Sequence, residues 1–167
     1  MIPIIMELLK NWSQIRKHFR ESFTTNLHVS IATVGALQSP DVTPIGTFFL
    51  NREQATGFYF EKYATTIASH FENTTNVCVL AVNSNRWFWI YSLFSNRFKK
   101  HPAIKLYGQL GERRLATEEE LKRLRRRMKR TRMLKGHQYL WNTMTYVRPI
   151  SFTHASKMKL GKMTQLL

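Results

Sequence analysis

Val42-Thr43-Pro44-Ile45-Gly46-Thr47-Phe48-Phe49 sets a proline and a glycine inside an otherwise good β pattern. Proline has no N–H to give a ladder, so Pro44 belongs at a strand start, an edge or a bulge. Gly46 has no side chain, and inside a strand it marks close approach by a ligand or by another backbone. Around this stretch the chain reads as strand, turn and strand. Residues 28–34 alternate loosely, and Ser39-Pro40-Asp41 falls in a turn. Residues 43–50 form the second strand, 51–54 a turn and 57–61 the third strand.

The period then changes. Lys62-Tyr63-Ala64-Thr65-Thr66 closes the third strand and opens a short helix over 65–73, with Ile67 and Phe71 four apart as its buried pair. Free N–H groups and hydroxyls at a helix start attract anions. A flat surface at Gly46 and a phosphate pocket at Thr65 and Thr66 together suit a flavin mononucleotide. Further strands are expected at 77–82, 87–91, 103–109 and 143–153. Trp87 and Trp89, two apart in a strand, face the same side. Pro149 makes the last strand an edge or interrupts it.

Two longer helices flank these strands. Over residues 6–22, Leu8, Trp12, Ile15 and Phe19 make one apolar stripe, as for a helix packed over one end of a barrel. A basic helix over 117–135 starts at a capping box, Thr117 with Glu120, and carries Leu121, Leu124 and Met128 as a narrow stripe. Gly136 is its expected C-cap. No internal repeat or interdomain linker interrupts the pattern, so residues 1–167 read as a single domain with its main barrel strands in 28–113.

Twenty-six basic and ten acidic residues give a net charge of +16. Such a surface attracts anionic partners whatever its fold. Arg123, Arg125, Arg126, Arg127, Lys129, Arg130 and Arg132 could grip nucleic-acid phosphates, but no aromatic interleaving and no known binding motif accompanies them. The single Cys78 excludes an intramolecular disulfide and suits a reducing cytoplasm. Met1-Ile2-Pro3-Ile4-Ile5-Met6 lacks a basic flank and meets Glu7 at once, so it does not read as a signal peptide. No apolar run is long enough for a membrane helix. Hydrolase, phosphate-loop and dinucleotide motifs are absent, the six histidines have no short metal-ligand spacing, and Asp41 is the only aspartate. A redox cofactor would carry its own chemistry and needs none of these.

Six or seven strands with two inserted helices and an N-terminal helix suggest a small closed sheet. His28-Val29-Ser30-Ile31-Ala32-Thr33-Val34, Val42-Thr43-Pro44-Ile45-Gly46, Gly57-Phe58-Tyr59-Phe60, and Ser69-His70-Phe71 before Val77-Cys78-Val79-Leu80 resemble the flavin-binding split-barrel superfamily around pyridoxamine 5′-phosphate oxidase. Ile104-Lys105-Leu106-Tyr107-Gly108 and Thr117-Glu118-Glu119-Glu120 look like the family's later strand and helix, so the likeness covers roughly residues 5–152. The resemblance implies a β-rich α+β fold: a six- to seven-stranded antiparallel split barrel with flanking helices. It implies a homodimer with FMN between subunits and oxidoreductase activity on a small substrate. It sets Thr43, Pro44, Ile45, Gly46 and Thr47 along the flavin ring. It sets Lys62, Tyr63, Thr65 and Thr66 at the phosphate, with Ser69 left to help hold it. Trp87 and Trp89, on one side of their strand, stack on the flavin or at the dimer interface, or pack in the core or interface without a ligand. Ile67 stands where the family often carries a basic residue. The alternatives are a flavin-free or haem-binding split barrel, or nucleic-acid binding through the basic helix.

Overall fold

The computed structural model describes residues 7–167; Met1 to Met6, with the start of the expected first helix, lie outside the described residues. Residues 7–10 are helical, and after a turn at Asn11 helix α1 runs Trp12–Asn26. The expected stripe holds: Leu8, Trp12, Ile15 and Phe19 are all buried. The helix ends because Leu27 turns left-handed (φ 62°) and returns its N–H to Phe23 O. β1 (Val29–Val34), β2 (Pro40–Ile45), β3 (Phe48–Leu50) and β4 (Thr56–Phe60) follow, then α2 (Thr65–Phe71) and β5 (Asn76–Val82). The chain continues through α3 (Arg86–Phe94), β6 (Ala103–Leu110), β7 (Arg114–Leu115), α4 (Glu118–Met128), α5 (Lys135–Trp141) and β8 (Tyr146–Lys157).

The strands make one sheet in the order β2-β1-β5-β6-β8-β4-β3, every pair antiparallel, with β7 continuing the line of β6 against β8. The two outer strands, β2 and β3, are separated in the chain by Gly46 and Thr47 alone. Three Cα steps reach at most ~11 Å. A flat sheet of this order would hold its ends on the order of 28 Å apart at ~4.8 Å per strand. The sheet therefore curls until its edges meet at residues 46–47. Val29, Ile31, Val79, Ala81, Leu106, Phe48, Tyr59 and Ile150 fill the inside, with α1 packed across one end. On the outer face Phe49, Phe58, Phe60 and Val147 pack under Leu124 and Met144.

Four expectations change. The stretch over 43–50 is two strands, broken at Gly46. Residues 87–91 are helical, because Asn85 caps the N-terminus by accepting from Phe88 N–H at 3.0 Å. The basic helix stops at Met128, a 3-10 turn follows, and Gly136 lies inside α5 instead of capping α4. The last strand is central and runs on to Lys157. Pro149 is tolerated there because it sits where β6 has just ended. Its carbonyl still takes Gly111 N–H at 2.8 Å, and Gly111 O receives the Arg148 guanidinium at 3.1 Å.

Candidate functional site

The Thr47 hydroxyl donates to Phe60 O at 3.2 Å. This bond ties the closing link of the barrel to the end of β4, so Thr43 to Thr47 and Lys62 to Thr66 lie at one end of the same strand pair. Along β2, Val42 and Pro44 face outward and Ile45 inward, and the far side of this strand pairs with nothing among the described residues. Val42 is 60% exposed. Pro44 thus stands on an edge strand, one of the places its missing N–H allows. Gly46 is half-buried, and a Cβ built on it would lie 3.3 Å from Leu27 O, so the close approach is by another backbone.

At the helix start, Ile67 is fully buried and cannot present itself to a ligand. Thr65, Thr66 and Ser69 are exposed, and no side chain caps the helix. Ser69 turns its hydroxyl back to Thr66 O at 2.9 Å. Lys62 and Tyr63 both reach Tyr139 O on α5, at 2.9 and 3.3 Å, and the Lys62 ammonium lies 4.8 Å from the Tyr63 ring centre. Here α5, outside the expected site, covers it with one carbonyl and one ring.

Next to this segment is a buried ion pair with no signature in the sequence. Glu61 accepts from Arg148 through both carboxylate oxygens, and the Tyr59 hydroxyl donates to the same carboxylate at 3.0 Å. The Arg148 guanidinium stacks 4.2 Å from the Phe71 ring centre. Burial, and then the Glu61 charge, push the Tyr59 phenol far above its usual range, so it stays a donor.

Two arginines of α4 point inward. Arg127 donates to Phe48 O at 2.5 Å and Gly46 O at 3.4 Å; Arg123 donates to Leu50 O at 2.7 Å and Asn51 Oδ1 at 3.0 Å. Carbonyls two residues apart on a strand recur every ~6.6 Å, and side chains four apart on a helix every ~6 Å. The helix therefore matches the row of free carbonyls along the β3 edge and closes it. Arg127 also lies 3.6 Å from the Phe49 ring centre. Burial without a carboxylate partner, and repulsion from Arg123, lower its pKa to about 9. Of the other cations of the basic stretch, Lys122, Arg125, Arg126, Lys129 and Arg132 face solvent.

No family model matches the chain, and no curated protein matches it in sequence. Solved structures match its fold. An FMN-binding protein from Syntrophomonas wolfei has a TM-score of 0.58 at 12% identity, over 93% of this chain and 97% of that one. The heme storage protein HutZ from Vibrio cholerae has 0.53 at 12%, over 84% and 92%. A Lactobacillus delbrueckii protein provisionally assigned as a pyridoxamine 5′-phosphate oxidase has 0.50 at 16%, over 84% and 91%. The fold is the split barrel. At these identities the likeness concerns the course of the backbone, and the ligands belong to those proteins.

Within this split barrel the tryptophans separate. On a helix, residues two apart point to nearly opposite sides. Trp89 turns inward, donates its indole N–H to Asn83 O at 2.7 Å and packs on Phe98; Trp87 is 78% exposed. The two do not form a common stacking surface. Each of the six imidazoles is engaged through one ring nitrogen: His18 with Ala81 O, His28 with Asn26 O, His70 with Thr33, His101 with Met158 O, His137 with Thr131 and His154 with Thr153. No cluster of potential metal ligands occurs among the described residues, and no helix there is long and apolar enough to cross a membrane.

Proposed function

We propose that this chain is an FMN-binding flavoprotein of the pyridoxamine 5′-phosphate oxidase-like type, an oxidoreductase acting as a homodimer on a small substrate. The observation that carries the reading is the Thr47–Phe60 bond, which ties the link after the edge strand to the end of β4, five residues before the helix start. The residues fit the cofactor. Lys62, Thr65 and Thr66 offer one cation and two exposed hydroxyls to a phosphate, and no carboxylate bonds to the Lys62 ammonium. Arg148 is not available to that phosphate, because Glu61 already neutralises it. The edge of β2, with Val42 and Pro44 outward, offers a flat apolar rim for the ring and for a second subunit. Trp87 and Trp89 drop out of the proposed site. When bound, the flavin supplies the redox step. The protein binds its phosphate, orients the ring along residues 43–47 and excludes water. The unpaired Cys78 is in keeping with a cytoplasmic setting.

The test is titration of the purified protein with FMN and with riboflavin. FMN should bind with a flavin absorbance shift. In K62A/T66A, FMN affinity should fall at least about tenfold to a hundredfold, the value of one charge-assisted bond, while riboflavin affinity stays put. Absence of uptake of either flavin would sink the proposal.

A further inference from the structure

Helix α3 is apolar on two opposite faces. Phe88, Trp89 and Ser92 turn inward, and both rings pack on Phe98. Trp87, Ile90, Tyr91 and Phe94 follow the i, i+3, i+4, i+7 spacing of one helical stripe, and are 78%, 43%, 52% and 90% exposed. A helix hydrophobic all round belongs in a core or against a partner. Exposure of a contiguous aromatic stripe marks an interaction surface.

The charge around the stripe identifies the partner. Arg86, Arg97, Lys99 and Lys100 are exposed beside it, and the chain has no Asp or Glu anywhere in residues 73–111. Lys99 leans over the Tyr91 ring at 4.6 Å, and Lys100 over Phe88 at 5.7 Å while pairing with Glu21. Aromatic residues on one face, with cations flanking them at the same level, fit the boundary of an anionic bilayer. The rings enter the acyl edge there, and the ammonium and guanidinium groups stay with the headgroups. A second copy fits worse. A two-fold contact through α3 would bring the cations of both copies together with only Glu21, already paired with Lys100, to offset them. We infer that α3 is a docking face for an anionic lipid surface, inserting Trp87, Tyr91 and Phe94 side by side.

The test is cosedimentation with vesicles of phosphatidylcholine alone and with about 30% phosphatidylserine, the range of an anionic leaflet. The full chain should bind the anionic vesicles and not the neutral ones. W87S/F94S should weaken binding at least about tenfold, since each aromatic lost removes a large buried apolar area. Both side chains are exposed, so the variant should keep the parent's circular dichroism and melting midpoint. Binding that depends on salt but is untouched by W87S/F94S would reduce the effect to net charge and overturn the inference. So would absence of vesicle binding. A parent dimer that W87S/F94S converts to monomer without any vesicle binding would overturn it too, and assign the face to a second copy.

Discussion

The Arg148–Glu61 pair shows what a single side chain can carry in this molecule. Both groups are buried, and without Arg148 the Glu61 carboxylate keeps only the half-exposed Arg113, at 3.9 Å. R148M should therefore destabilise the protein by about 3–5 kcal/mol, read as a lower urea midpoint at unchanged slope. His18 gives a pH dependence. Burial lowers its pKa below the ordinary imidazole value, and the bond to Ala81 O only partly offsets this. The unfolded chain takes up the proton first, so stability is full above about pH 6.5 and declines as pH falls towards the folded value. Thermal midpoints between pH 5 and 7.5 should show that decline in the parent and lose it in H18Q. Neither role could be read from the residue string. Glu61 and Arg148 are 87 positions apart. Arg123 and Arg127 look like every other arginine around them until the carbonyl row of β3 is known.

At the scale of elements, α4 is where local signals and tertiary structure agree. Thr117 accepts from Glu120 N–H at 3.3 Å, and the Glu120 carboxylate accepts from Thr117 N–H at 2.9 Å and from Arg114 at 2.7 Å. T117A should cost about 0.5–2 kcal/mol in a denaturant titration. The same weakening should increase hydrogen exchange along the β3 edge that α4 covers. Such caps, the stripe of α1, the loose alternation of β1 and the apolar run of β5 were legible because they are local. The α3 segment was not. Trp87-Phe88-Trp89-Ile90-Tyr91 has strong β propensity, and the single Asn85 cap, together with packing on Phe98, decides for the helix. The last strand was half-legible: Pro149 argued for an edge, and only the pairing showed that the neighbouring strand ends at that level. Near the candidate site, the Thr47–Phe60 bond sits where the chain order of β3 and β4 allows it, whereas the cover from α5 and the inward arginines depend on the fold.

For the whole molecule the charge balance of +16 is the dominant long-range term. Compact folding holds those charges together, so moderate salt should raise the melting midpoint by screening their repulsion, measured by calorimetry in a chloride series. β8 has another effect. It comes last among the described strands, yet it lies in the middle of the sheet, and among the described residues it alone joins β6 to β4. A chain still leaving the ribosome holds two unjoined pieces, β2-β1-β5-β6 and β4-β3, each with an open flank. Synthesis must pass β8 before those pieces can lock, and a chain cut short ahead of residue 146 leaves both halves with a sticky open edge.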